Sequence, residues 1–181
     1  GFAIFFAVAV TLLTIADFQM NNYYQFFLGG LLIIFLIGLK DDILVIDPLK
    51  KLVGQIAAAS LVVFLGGMRF TSLHGFLGIH EIDPIVGSLL TLFVIIVITN
   101  SFNLIDGIDG LASGIGILIA LALGGWFLYN GLYPLATISI VISGAYIGFF
   151  FFNVSKGRNK IFMGDSGSLI LGFGLAFLII H

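Results

Sequence analysis

No cysteine occurs in the sequence, proline appears three times in 181 residues, and charged side chains make up only 9%. Without thiols, disulfides, thiolate metal centres and cysteine nucleophiles are excluded. Sparse charge excludes an ordinary soluble domain, in which about one residue in four is charged. The net charge of −2 says nothing by itself about nucleic-acid or acidic partners, so the placement of the few charges carries the information; no nucleic-acid partner is expected. Hydrophobic residues are abundant, at 60% of the chain and a mean hydropathy of +1.24, which places the protein in a lipid bilayer.

Residues 1 to 15 are apolar with no basic region before them and no small-residue cleavage pattern after them, so a signal peptide fits poorly. The sequence begins and stops inside apolar runs, and we expect it to be a piece of a longer membrane protein truncated at both ends. Apolar stretches approaching the roughly 20 residues needed to cross the hydrocarbon core occur at 2 to 16, 23 to 39, 52 to 68, 85 to 99, 111 to 128, 132 to 152 and 167 to 181. They predict an all-α integral membrane protein, a single polytopic bundle of about seven helices over residues 1 to 181. Residues 69 to 84 predict a small extracytoplasmic hairpin.

With the second span ending at Lys40, parity puts the loops at 40 to 51, 100 to 110 and 153 to 166 on one side. These hold Lys40, Lys50, Lys51, Lys156, Arg158 and Lys160, six of the seven basic residues. By the positive-inside rule that side is cytoplasmic, with His74 and Asn130 expected opposite. Six of the nine acids, Asp41, Asp42, Asp47, Asp106, Asp109 and Asp165, share the basic face.

The acids need a separate account. Asp41 and Asp42 stand together at the end of an apolar helix, where two carboxylates repel each other and are partly desolvated; a divalent cation or several basic groups would keep them ionised. In N-S-F-N-L-I-D-G-I-D-G-L-A-S-G, the residues Asn100, Asn103, Asp106 and Asp109 recur at every third position. If the stretch is helical, they converge on one side, although Asp-Gly is also a common turn dipeptide. The third loop runs from Asn153 through three alternating basic residues to Asp165, which can serve a ligand or cap the last helix with help from Ser166 and Ser168. Acidic loops with interspersed lysine and arginine at a membrane surface point to metal-assisted phosphoryl transfer onto a reactant with a lipid tail.

The segments G-L-K-D-D with K-L-V-G-Q, then N-S-F-N-L-I-D-G-I-D-G-L-A, then F-M-G-D-S-G-S-L, in this order between apolar spans, resemble the polyprenyl-phosphate N-acetylhexosamine-1-phosphate transferases. That family includes initiators of cell-envelope polysaccharides and the phospho-MurNAc-pentapeptide translocase. The resemblance implies transfer of a sugar 1-phosphate, GlcNAc 1-phosphate by the look of the central motif, from a UDP-amino sugar to undecaprenyl phosphate, with release of UMP. It implies Mg²⁺, or Mn²⁺, as cofactor, a bacterial inner-membrane location with the active site on the cytoplasmic face, and room for a homodimer.

Carried over residue by residue, Asp41 matches a carboxylate that acts as base or nucleophile, with Asp42 beside it. Asp106 and Asp109 join these, and Lys51, as catalytic residues, Asp106 also serving the metal with Asp165. Asn103, Asn153, Phe162 and Lys50 match substrate-binding positions. Between Asn153 and Phe162 the proline of many members is lacking. The family's basic loop before Gly1 and its histidine-rich loop beyond His181 fall outside this sequence. A transporter, the main non-enzyme alternative, would place ionisable groups at mid-span, and the predicted spans hold none. An intramembrane aspartyl protease would need two aspartates deep in the bilayer, and Asp41 and Asp106 lie at its edge. An inactive relative is the other alternative.

Overall fold

The computed structural model describes residues 1–14, 22–73, 75–78 and 80–181. His74, the end of the first predicted span at 15 to 16, and Ile79 of the predicted hairpin lie outside the described residues. Among the described residues there are seven α-helices and no strand. They are α1 (Phe2–Thr14), α2 (Asn22–Ile43), α3 (Pro48–Ser60), α4 (Pro84–Ile105), α5 (Leu111–Tyr129), α6 (Tyr133–Asn153) and α7 (Gly164–Ile180). A wider π-helical turn, Leu61–Leu65, prolongs α3. Among the described residues, four helical stretches are long and apolar enough to cross a membrane, Pro48–Leu65, Pro84–Ile105, Leu111–Tyr129 and Tyr133–Asn153, and α1 and α7 are shorter apolar helices. The protein is a polytopic helical membrane protein.

The three prolines all stand in the first turn of a helix, where the missing amide hydrogen costs nothing. Asp47 precedes Pro48 and accepts a hydrogen bond from the Leu49 amide at 2.9 Å; Asp83 precedes Pro84 and accepts from the Ile85 and Val86 amides. Each aspartate thus stops the preceding loop and satisfies amides that the helix leaves open. Between α3 and α4 the Ile82 amide donates to the Thr71 carbonyl at 3.0 Å, and the described residues include one short helical turn at Phe76–Gly78 and no β ladder. The Thr91 hydroxyl pins this connection to α4 by accepting from the Phe70 amide at 2.9 Å.

Helix α7 is the centre of the bundle. Every residue from Ser166 to Leu178 is buried, as expected for a helix apolar on all sides. Lipid gives no hydrophobic drive for helix pairing, so close contact relies on small residues. At Gly38 an added Cβ would stand 2.5 Å from the Ser166 Cα, and at Gly172 2.7 Å from the Thr99 Cα. These two glycines draw α2 and α4 tight against α7. Deeper in the bundle Phe27 stacks on Phe177, ring centroids 3.9 Å apart.

Four helix ends differ from the predicted spans in one sense, with the helices reaching further into the polar segments. α2 runs to Ile43, α3 starts at Pro48, α4 runs to Ile105 and α7 starts at Gly164. Asp41, Asp42, Lys51, Asn100, Asn103 and Asp165 therefore sit on helical turns rather than in loops. Hydropathy marks where apolar side chains stop; backbone hydrogen bonding continues for another turn or so past that point.

Val45 is 97% exposed in the α2–α3 connection and Tyr129 is 87% exposed at the far end of α5. Eighteen residues of helix separate the two ends of α5, about 27 Å. With cysteine introduced singly at these positions, an impermeant thiol reagent should label Val45→Cys from one side of sealed vesicles and Tyr129→Cys from the other. Labelling of both from the same side would overturn the helix arrangement.

Candidate active site

Lys51, in the first turn of α3, reaches the ends of three other helices. Its ammonium donates to Asp41 Oδ2 at 2.8 Å on α2, to Asn103 Oδ1 at 3.1 Å on α4, and to Asp165 Oδ1 at 2.8 Å on α7. The side chains of Lys51 and Asp41 are only 14% and 9% exposed, and that of Asp165 is 32% exposed. An ammonium has three hydrogens, so Lys51 is saturated. Asn103 donates to Asp165 Oδ1 and, at 2.9 Å, to the Ser168 hydroxyl. The other oxygen of Asp41 accepts from the Ile46 amide at 2.8 Å, which folds the α2–α3 connection back over the helix end.

Asp42 has a different task. Its Oδ1 accepts from the Asp165 amide at 2.6 Å and its Oδ2 from the Ser166 amide at 3.1 Å. The carboxylate of one helix thereby caps the positive N-terminus of another. Of the two roles open to Asp165, ligand or cap, the capping one therefore falls to Asp42. Asp165 occupies the first turn with its carboxylate turned to Lys51 and Asn103, and the residue before the helix, Met163, makes no side-chain cap. Gly164 has φ +68°, and a Cβ there would stand 2.7 Å from Asp42 Oδ1, so a side chain at this position would displace the cap.

The three-residue stripe also ends earlier than its spacing predicts. Asn100 and Asn103 lie on α4 and Asp106 closes it, but the chain then turns through residues 106–110, where Gly110 has φ +76°. Asp109 leaves the stripe and pairs with Lys160 at 2.5 Å. Lys160 also lies 5.0 Å over the ring of Phe162, which is 76% exposed. Asn153 is buried: its carbonyl accepts from the Gly110 amide at 2.6 Å and its amide donates to the Ile161 carbonyl at 3.0 Å, so it ties the second and third polar segments together. Lys50 is exposed on the outer side of α3.

Asp106 is the site carboxylate that accepts no hydrogen bond among the described residues. Partial burial, followed by the charges of Asp165, Asp42 and Asp109, pushes its pKa up to about 6. Among the described residues, no group of three or more carboxylates or histidines converges to chelate a cation unaided. Mg²⁺ does not need such a cage, because it is commonly held by one or two carboxylates with water and substrate phosphate completing its shell. Asp106, with the oxygen of Asp165 that Lys51 leaves free, fits that donor set.

A second layer lies behind the cluster, and of its members only Asn100 is marked in the sequence. Gln55, one turn below Lys51, and Asn100, one turn below Asn103, exchange two amide hydrogen bonds of 3.3 and 2.6 Å across α3 and α4. The fully buried Tyr146 donates to the Gly167 carbonyl at 2.8 Å and so braces the start of α7 from α6. The signal for the first was available: Gln55 follows Lys51 by four and Asn100 precedes Asn103 by three, the spacing of a second rung on two facing helices. The Tyr146 contact had no local signal.

The glycosyl transferase family 4 model matches residues 24–181, a span that includes every acidic and basic group described above. The chain belongs to this family. Its relatives include a decaprenyl-phosphate N-acetylglucosaminephosphotransferase of Mycobacterium tuberculosis, 43% identical over 154 residues, 77% of this chain and 37% of the relative. A probable undecaprenyl-phosphate N-acetylglucosaminyl 1-phosphate transferase of Bacillus subtilis is 32% identical over 179 residues, 98% of this chain and 49% of the relative. A phospho-N-acetylmuramoyl-pentapeptide-transferase of Lactobacillus johnsonii is 41% identical over 133 residues, 70% of this chain and 40% of the relative. The chain thus spans less than half the length of these curated family members.

The raised pKa of Asp106 has a testable sign. The folded protein binds more protons than the unfolded chain between the ordinary carboxylate value of 3.8 and about 6, so this group's contribution to stability falls as pH rises through that window. Above about pH 6, Asp106→Asn removes a crowded charge and should raise the melting temperature in chelator by roughly 2–4 °C, an advantage that shrinks toward pH 4. Thermal scans at pH 4.5 and 7.5 check this; an equal effect at both would show that Asp106 titrates normally.

Proposed function

We propose that this chain supplies the catalytic face of a polyprenyl-phosphate N-acetylhexosamine-1-phosphate transferase, with UDP-GlcNAc as donor and an undecaprenyl- or decaprenyl-type phosphate as acceptor. The observation that carries the reading is the convergence of Asp41, Asn103 and Asp165 on Lys51 beside Asp106, whose carboxylate accepts no hydrogen bond among the described residues, where apolar helices meet the aqueous edge. The N-acetylglucosaminyl and N-acetylmuramoyl transfer named for the relatives supports an N-acetylhexosamine as the sugar. A bacterial inner-membrane location, a cytoplasmic site and a homodimeric assembly complete the proposal.

In the reaction, an oxygen of the lipid phosphate attacks the sugar-bearing phosphorus of the donor, the bond to the bridging oxygen breaks, and UMP leaves. One phosphoanhydride replaces another, so catalysis is mostly positioning and charge neutralisation. A divalent cation would supply charge neutralisation on the phosphates, held by Asp106 and Asp165. Lys51 fixes Asp165 for that task, and Asp42 fixes the helix that carries it. Lys156 and Arg158, which form no ion pair among the described residues, offer positive charge to the remaining phosphate oxygens. Phe162 presents an exposed ring on which a uracil base can stack. Asp41 has both oxygens engaged, on Lys51 and the Ile46 amide, so acting as base or nucleophile requires one of them to be released.

The test is UMP release by the full-length protein in membranes or micelles, supplied with UDP-GlcNAc and polyprenyl phosphate. Activity should require Mg²⁺ or Mn²⁺, and Asp165→Asn should reduce it roughly a hundredfold or more while the far-ultraviolet circular dichroism stays unchanged. Full activity in excess chelator would remove the cation from the proposal, and undiminished activity of Asp165→Asn would remove the site.

A further inference from the structure

Outside the Lys51 cluster, the outer side of α2 carries a second arrangement. Ile33, Leu36, Ile37 and Lys40 fall at positions i, i+3, i+4 and i+7, one continuous stripe of the helix. Opposite them stand Ile46 of the connection and Lys50 at the start of α3, and together these six residues line a groove of about 310 Å³. Its floor is apolar and its mouth is framed by two ammonium groups.

Those two cations are unmatched. Among the described residues, neither Lys40 nor Lys50 forms an ion pair or a side-chain hydrogen bond, whereas Lys51 and Lys160 are both paired. The nearby carboxylates are engaged elsewhere: Asp41 holds Lys51 and the Ile46 amide, Asp42 caps α7, and Asp47 caps α3. Lysines left without counter-ions at the top of a lipid-facing apolar groove are complementary to one kind of occupant, an amphiphile with a negative head and hydrocarbon tails.

We propose that the α2–α3 groove is a binding site for an anionic phospholipid, its phosphate held between Lys40 and Lys50 and an acyl chain lying along Ile33, Leu36 and Ile37. A net negative head is selected over a zwitterionic one because the cation of a choline or ethanolamine group competes with the lysines for the phosphate. The site touches the ion cluster through one hydrogen bond: Ile46, which forms part of the groove wall, donates its amide to Asp41. An occupied groove holds Ile46 in place and with it the buried carboxylate. The inference stands apart from the transferase reading, because its readout is lipid retention.

The experiment is native mass spectrometry of the full-length protein, equilibrated in micelles with equal amounts of phosphatidylglycerol and phosphatidylcholine. One phosphatidylglycerol should be retained in preference. Lys40→Gln and Lys50→Gln should each weaken that retention roughly fivefold, while Lys40→Arg/Lys50→Arg keeps it and guards against loss of fold. Leu36→Trp, which fills the groove with both lysines intact, should reduce retention, and glycerol 3-phosphate, which has no tails, should not displace the lipid. Equal retention of the two phospholipids, or an equal loss in the control Lys156→Gln/Arg158→Gln, would overturn the site. Displacement of phosphatidylglycerol by equimolar polyprenyl phosphate would also overturn it, assigning the groove to the acceptor.

Discussion

One ammonium group, Lys51 Nζ, joins the ends of α2, α4 and α7 to the start of α3, and the geometry of the polar face follows from it. Asp41 and Asp165 bring two negative charges to the edge of an apolar bundle, where each alone would be costly to keep ionised. Lys51 sits between them at 2.8 Å from each and uses its third hydrogen on Asn103. The same contacts that neutralise charge fix the relative positions of four helices that are far apart in sequence. Side chains on helical turns are also held more rigidly than side chains on loops.

Around this junction the site is built by division of labour among like residues. Six aspartates share one face; Asp47 starts α3, and of the other five only Asp106 accepts no hydrogen bond among the described residues. Asp41 serves Lys51, Asp42 serves the backbone of α7, Asp109 serves Lys160, and Asp165 is shared between Lys51 and Asn103. Close packing makes this possible. Gly38 lets α2 approach the first turn of α7, and Gly164 leaves room for the carboxylate of Asp42. Substituting either glycine would act on the site through distance, without touching a charge.

Much of this was legible in the sequence, and the missing parts share a cause. The spans, the polar segments and their common face follow from hydropathy and charge, because lipid penalises every exposed polar group. The motifs point to Lys51, Asn103, Asp106 and Asp165, and in the structure Lys51, Asn103 and Asp165 are in direct contact. Hidden from the sequence were partnerships between distant helices. Asp42 caps α7 across 123 positions, and the Tyr146 hydroxyl reaches Gly167 from a neighbouring helix. Nothing local marks either contact. The capping of α7 looked like a task for Asp165 because local caps are the rule in soluble helices; here a packed neighbour provides it. The break of the stripe after Asp106 was half visible, since Asp-Gly favours turns, but only the pairing of Asp109 with Lys160 shows which way the chain goes.

The central claim is that the Lys51 ammonium holds the helix ends together by neutralising Asp41 and Asp165. Thermal unfolding of the full-length protein in detergent tests it through Lys51→Met, Asp41→Asn and their combination. Lys51→Met leaves a buried carboxylate unpaired and should cost about 3 kcal/mol; adding Asp41→Asn removes that stranded charge, so the double variant should melt at a higher temperature than Lys51→Met alone. Contradiction would come from Lys51→Met melting at the wild-type temperature, or from the two losses simply adding, since either would show that the ammonium and the carboxylate are adjacent without depending on one another.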